Sequence, residues 1–236
     1  MKEIIYLFIS AILLTSCAAS PPSPEIQELI QKAGAGDTES QFELGGLYDF
    51  GYGVPRSGKE TERWYKLAAE AGHSEAQNSM GSIYQAEERY EEALYWYEKS
   101  AAQSNELGIN NLAYLYDLGL GVNQDRQKAR DLYLKSANLG EPQAMHNLGQ
   151  MYGAGQLGEK DLISGCAWTF RAVKYSRGTG SMVHKPATNT AGYCERTLNK
   201  TDLSKAKEIA NSWQPSAPSE NWPNKNSNRT VSPPVL

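Results

Sequence analysis

Small, apolar and aromatic residues fall on the same helical stripe four times along this chain. Ser40, Leu44 and Tyr48 stand four apart, so a helix places them on one face, with Gly45 beside Leu44. The order returns as Ala76-Met80-Gly81-Tyr84, Gly108-Leu112-Ala113-Tyr116 and Ala144-Leu148-Gly149-Tyr152. The steps between units are 36, 32 and 36 residues. A second stripe follows twenty residues behind: Trp64-Tyr65, Trp96-Tyr97, Leu132-Tyr133 and Trp168-Thr169. In the first three units Ala68-Ala69, Ser100-Ala101 and Ser136-Ala137 extend it. Two apolar stripes per unit predict a pair of helices that can bury its apolar faces only against its neighbours. The expected fold class is all-α, a right-handed α-solenoid of four helix pairs. The Trp-Tyr pairs belong to the core between units, and the small residue beside each Leu or Met lets the partner helix approach closely.

Between the stripes lie Gly51-Tyr52-Gly53-Val54 in unit one and Gly119-Leu120-Gly121-Val122 in unit three, suited to a turn joining antiparallel helices. Unit two lacks this turn, which accounts for its shorter period and predicts a tighter connection. Unit four keeps only Gly155 and Gly158 there. These residues resemble the Sel-one-like repeat of the tetratricopeptide superfamily, whose pattern runs Ala-x-x-x-Leu-Gly-x-x-Tyr, Gly-x-Gly-Val, then Trp-Tyr-x-x-Ala-Ala. The motifs cover residues 36–175, and the four repeats are assigned to residues 25–175. The stretch 176–213 is expected to hold a Gly-, Ser- and Thr-rich interruption (176–190), a helix bearing Cys194 and a final amphipathic helix at 203–213. Together these would form a helical cap over the open end of the stack, since terminal repeats need a polar outer face. Residues 214–236, rich in Pro, Ser and Asn, read as a disordered tail.

The first residues carry a different signal. Residues 4–14 form an apolar run of eleven broken only by Ser10, too short to span a bilayer but suited to the core of an export signal. The run ends Leu14-Thr15-Ser16-Cys17, which resembles the bacterial lipobox. That resemblance implies a signal peptide at 1–16, lipidation of Cys17, and membrane attachment through several acyl chains. Ala18-Ala19 follow in place of an aspartate, which in Gram-negative lipoproteins implies passage to the outer membrane. The alternative is an ordinary signal peptide with an incidental cysteine. Residues 17–24, with Pro21, Pro22 and Pro24, would form a stiff tether.

Three cysteines are odd in number for an exported protein, but with Cys17 lipidated, Cys166 and Cys194 remain. An oxidising periplasm favours their pairing, which would join the cap to unit four; two separate buried thiols are the other possibility. The net charge of −4 gives no footprint for nucleic acid. His73, His146 and His184 are scattered, so neither a metal nor a cofactor is expected. Ser204 and Lys207 reproduce a Ser-x-x-Lys, but no Lys-Thr-Gly or Ser-Asp-Asn accompanies them, and the motif falls on an expected exposed helix.

A binding role has more to draw on. In tetratricopeptide-type stacks the first helices line a concave groove. Mapping from the Leu-Gly and Tyr positions assigns to it Phe42, Asp49 and Phe50 from unit one, and Asn78, Ser82 and Gln85 from unit two. Unit three contributes Asn110, Tyr114 and Asp117; unit four contributes His146 and Gln150. Amides suit the backbone of an extended segment, and aromatic rings anchor side chains. The resemblance thus implies a non-catalytic scaffold for a protein partner, an envelope protein or a toxin. Some exported family members are immunity proteins that block periplasmic phospholipase effectors of type VI secretion. Some cysteine-rich members have been assigned β-lactamase-type activity, but they carry a disulfide in each unit, and units one to three here contain no cysteine.

Overall fold

The computed structural model describes residues 22–179 and 181–216, and every element among them is helical. Helix α1 (Pro24–Gly34) precedes four pairs: α2 (Thr38–Phe50) with α3 (Gly58–Glu70), α4 (Ser74–Ala86) with α5 (Tyr90–Ala102), α6 (Glu106–Leu118) with α7 (Arg126–Asn138), and α8 (Pro142–Ala154) with α9 (Leu162–Ser176). Helices α10 (His184–Thr197) and α11 (Lys200–Ser212) follow. From α1 to α9 each helix packs on the one before and the one after it, and both α10 and α11 pack on α9. The result is an α-solenoid.

The starts and stops are written locally. Asp37, His73, Asn105 and Glu141 occupy the same register, one residue before the first helix of each unit. The side chain of each accepts a hydrogen bond from an otherwise unpaired backbone N–H of the first turn. Gly51 and Gly119 end α2 and α6 with φ of 73°, where a side chain would be strained. The connections 51–57, 119–125 and 155–161 separate the helices of units one, three and four, whereas only 87–89 separate α4 from α5. The shorter connection accounts for the 32-residue period of unit two. In the longer turns the second glycine permits close contact with the preceding element: a Cβ on Gly121 would stand 2.6 Å from the Tyr90 carbonyl carbon, and one on Gly53 would meet Ile26 of α1. Helix α1 thus does for unit one what a preceding second helix does for the others, covering Leu44 and Trp64 with Leu29, Ile30 and Ala33. The sequence reading assigned no helix here, and α1 begins inside the stretch taken as tether.

In units one and two the two helices meet most closely where a ring lies on a glycine. A Cβ on Gly45 would lie 2.5 Å from the Tyr65 ring, and one on Gly81 would lie 2.5 Å from the Tyr97 ring. Leu44, Met80 and Leu148 are fully buried in the same layer, with Ala68, Ala76, Ala93 and Ala137 between the helices. Two buried serines cross-link the pairs: Ser100 Oγ donates to the Ser74 carbonyl at 2.8 Å, and Ser136 Oγ to that of Glu106 at 2.7 Å. Trp64, Trp96 and Trp168 are buried, as expected for residues between units.

The far end is closed by two contacts. A disulfide joins Cys166 of α9 to Cys194 of α10, in a cluster with Ala206. Arg171, 6% exposed, lies between the rings of Trp168 and Trp213 at 4.2 and 4.9 Å and donates from Nη2 to the Ile209 carbonyl at 2.7 Å. Burial among these rings pushes its pKa down to about 10. The interruption expected at 176–190 is shorter than read, because α10 begins at His184 and Ala187 is buried. Three threonines in α10 did not prevent a helix; Thr188 and Thr190 bond back to carbonyls four residues earlier.

The neighbouring glycines Gly45 and Gly46 should respond in opposite senses to alanine. Gly45→Ala drives a methyl into the Tyr65 ring and should destabilise the fold by about 1–2 kcal/mol. Gly46 has only the Tyr65 hydroxyl at 3.6 Å, so Gly46→Ala should stabilise by about 0.5–1 kcal/mol through helix propensity. Urea midpoints of the two variants check this; a shared sign would refute the close-packing account.

Candidate functional site

The first helices of neighbouring units meet on one side of the stack: α4 touches α6 past the intervening helix α5, Asn147 of α8 bonds Asn110 of α6, and no contact as extensive as that of α4 with α6 joins two second helices. Their exposed side chains therefore converge on one continuous face.

A line of side-chain amides crosses this face. Asn111 Nδ2 of α6 donates to Asn78 Oδ1 of α4 at 2.9 Å, and Asn110 Nδ2 donates to Asn111 Oδ1 at 3.1 Å. Asn147 Nδ2 of α8 donates to Asn110 Oδ1 at 3.1 Å, and Gln143 Nε2 to Asn147 Oδ1 at 3.0 Å. The rule is simple: the residue three after the small position of one unit reaches the residue two after it in the unit before. Unit one has Phe42 and Glu43 at these registers, so the line begins in unit two.

The second-helix tyrosines reach polar groups of the first helices from beneath. Tyr97 donates its hydroxyl proton to Gln85 Oε1 at 2.9 Å and lies 3.2 Å from Ser82 Oγ. Burial pushes its pKa up to about 12. Tyr133 is also displaced upward, first by burial and then by the charge of Asp117, against a hydrogen bond with Asn147. Asp117 itself is shifted upward by burial, against the attraction of Arg126, whose Nε lies 3.8 Å from its Oδ1. Burial lowers the pKa of His146, whose Nε2 lies 3.1 Å from Gln150 Nε2. Its Nδ1 is buried and has no partner.

Of the residues assigned to the groove from sequence, Phe50 (66% exposed), Ser82, Tyr114 (37%) and Gln150 present open surface, and Asp49, Asn78, Gln85 and Asp117 are half-buried. Three are corrected. Asn110 (4%) is buried within the polar line, His146 (5%) is buried beside Gln150, and Phe42 is half-buried, packed on Tyr65 and stacked on His73 at 4.5 Å. At this register the neighbouring first helix covers the side chain, which a count along one helix cannot show. Asn111, Asn147 and Gln143 were missed. The signal for Asn111 and Asn147 was available: amides sit at one register in units three and four, one place beyond Asn110 and His146.

Elsewhere, Ser204 is exposed and Lys207 Nζ pairs with Glu195 at 2.8 Å, so the Ser-x-x-Lys lies on an outer helix with its lysine already engaged. Among the described residues no group of three His, Cys, Asp or Glu could hold a metal ion, and no helix is long and apolar enough to cross a membrane. Cys17 and the signal peptide lie outside the described residues, as does almost all of the proposed tail.

Comparison with known proteins gives a consistent pattern. The Sel1 repeat family matches residues 38–73, 74–105, 107–141 and 142–174, each stretch covering one helix pair to within two residues. A putative sel1-like repeat-containing protein of Acanthamoeba polyphaga mimivirus is 31% identical over 132 residues, 56% of this chain and 24% of the relative. The chain spans a quarter or less of the curated relatives it matches. A protective antigen present in uropathogenic Escherichia coli strains and displaying an SLR fold superposes with a TM-score of 0.71 at 28% identity, covering 79% of this chain and 40% of that one. A Sel1 repeat protein from Oxalobacter formigenes gives 0.62 at 23% identity, over 79% and 84% of the two chains.

Glu141 yields a pH test. Burial, reinforced by Glu106 and opposed by the Gln143 N–H, pushes its carboxyl from 4.5 up to about 7. Between about pH 4.5 and 7 the native state holds a proton that the unfolded chain has released, so this group's contribution falls as pH rises through that window. Glu141→Gln keeps an acceptor for the helix start and should become more stable than the parent at pH 7 than at pH 4.5, by about 2–3 kcal/mol. Urea titrations at the two pH values measure the difference; parallel pH profiles would refute it.

Proposed function

This chain belongs to the Sel1 repeat family, and from that premise we propose that it is a non-catalytic scaffold holding an extended segment of a protein partner along its first-helix face. Sel1 repeats generally mediate protein–protein interaction and are generally not catalytic. The observation that carries the reading is the line of amides from Asn78 to Gln143, running across three units and edged by exposed Phe50, Tyr114 and Leu118. Each amide carries both donor and acceptor, so the line can exchange hydrogen bonds with the backbone of an extended chain while the rings anchor its side chains.

The setting is part of the proposal: the periplasmic face of the bacterial outer membrane, with lipid on Cys17. Its support is the sequence Leu14-Thr15-Ser16-Cys17 behind an apolar run, with Ala18-Ala19 after it. A tether of a few residues would hold the repeats close to the lipid, where partners are other envelope proteins.

Two measurements test this. Bacteria expressing the chain and fed an alkyne-tagged palmitate should label it, and Cys17→Ser should abolish both the label and membrane sedimentation; retention of either refutes the anchor. For the groove, Tyr114→Ala and Asn111→Ala should each weaken partner binding about tenfold with the helical circular dichroism unchanged, while Tyr193→Ala on α10 should not. Unchanged affinity in both groove variants refutes the surface. Identification of the bound protein as a toxin would replace the envelope-scaffold reading with that of an immunity protein.

A further inference from the structure

The charges of the four repeats are sorted by helix. The first helices α2, α4, α6 and α8 contain no lysine or arginine, and their acidic residues are Glu39, Glu43, Asp49, Glu75, Glu106 and Asp117. The second helices α3, α5, α7 and α9 carry ten lysines and arginines. Helix propensity does not require this division, because Lys, Arg and Glu are comparable helix formers. The macrodipole accounts for Glu39, Glu75 and Glu106, which lie in first turns, but not for the last turns. The C-terminal turn of a helix favours a cation, yet none of the four first helices has a basic residue in its last turn, and α2 and α6 place Asp49 and Asp117 there.

Those two aspartates share one register, two units apart, and each has exposed apolar groups beside it. Next to Asp49 stands Phe50, its ring stacked on that of Tyr52 at 5.6 Å, both exposed. Next to Asp117 stand Leu118, at the register of Phe50, and Tyr114, one helical turn earlier, also exposed. A carboxylate beside an accessible aromatic ring attracts a cation twice over, by charge and by the quadrupole of the ring. The chain's own cations satisfy these sites poorly. Arg126 reaches Asp117 only at 3.8 Å, and Arg56 lies in the connection after α2. Basic groups at the starts of other second helices are engaged elsewhere: Arg89 pairs with Glu92 at 2.7 Å and Glu87 at 3.2 Å, and Lys128 lies 2.7 Å from the Tyr116 hydroxyl.

We infer that the segment held on the first-helix face is basic, with one Lys or Arg seated at Asp49 and Phe50 and another at Asp117 and Tyr114. This rests on the groove reading above and adds the chemistry of its occupant. The amide line would hold the backbone, and the two aspartates would set the spacing of the cations.

The probe is a fluorescein-labelled twelve-residue peptide of alternating Arg and Ala, with a counterpart carrying Glu for Arg, titrated with the full chain by fluorescence anisotropy. The Arg peptide should bind and the Glu peptide should not. Asp49→Asn with Asp117→Asn should weaken binding about tenfold. Glu70→Gln with Glu98→Gln removes the same charge from exposed sites on second helices and should change affinity less than about twofold. Arg126→Ala frees Asp117 and should tighten binding about two- to threefold, a gain that misfolding cannot imitate. Equal losses in the two double variants, or equal binding of the two peptides, would overturn the inference. If the aspartate pair has no effect while Tyr114→Ala still weakens the natural partner, the basic occupant is refuted and the groove stands. If neither set has an effect, both are refuted.

Discussion

The contact on which this structure depends is an aromatic ring laid on a helix backbone that has no side chain in the way. Tyr65 on Gly45 and Tyr97 on Gly81 bring the two helices of a unit together at the distance of a ring's thickness. At that distance Leu44 and Met80 are fully enclosed, and Ser100 reaches the Ser74 carbonyl across the pair. Unit four shows the same constraint met differently: Gly149 and Gly153 of α8 face Gly165 of α9, and Thr169 takes the place of the tyrosine. Close approach is the constant, and the ring is one way of filling the space that remains.

The same rings tie the core to the candidate binding face. A tyrosine that crosses from a second helix under the small residue ends with its hydroxyl among the polar groups of the first helices: Tyr97 at Ser82 and Gln85, Tyr133 near Asn147 and Asp117. A buried hydroxyl needs a partner, so burial of the ring obliges the first helix to offer polar residues at those registers. The amide line follows from a related demand. Once neighbouring first helices approach, polar side chains between them lose water and must bond one another, as Asn78, Asn111, Asn110 and Asn147 do. The face is therefore preorganised. Its donors and acceptors are held by the stack before any partner arrives, which reduces the entropy that binding must overcome.

The two ends are closed by unrelated means. At the start, α1 imitates a second helix and offers Ile26, Leu29 and Ile30 to unit one. At the finish, a covalent bond and a buried arginine hold α10 and α11 against α9, and Trp213 carries the chain back until the Ser216 N–H reaches the Asn138 carbonyl at 3.1 Å. Four repeats leave two exposed apolar faces, and a solenoid that left them open would associate end to end.

By itself the sequence determined the repeat, the helix pair in each unit, the short connection in unit two and the identity of the buried layer. All of these are set by contacts within about forty residues, where helical periodicity and turn glycines speak directly. Phe50 and Tyr114, two of the residues it marked, are exposed at the end or on the outer face of a first helix. Only the tertiary structure decided that Asn110 and His146 are buried, that Phe42 packs against the core, and that Asn111 and Asn147 complete the polar line. It alone showed α1 in the place of a missing second helix, and an arginine without a carboxylate holding the last helix in place. The physical reason is the same throughout. The exposure of a first-helix side chain depends on how closely the next unit's first helix leans toward it, and that distance is a property of the stack rather than of any one repeat.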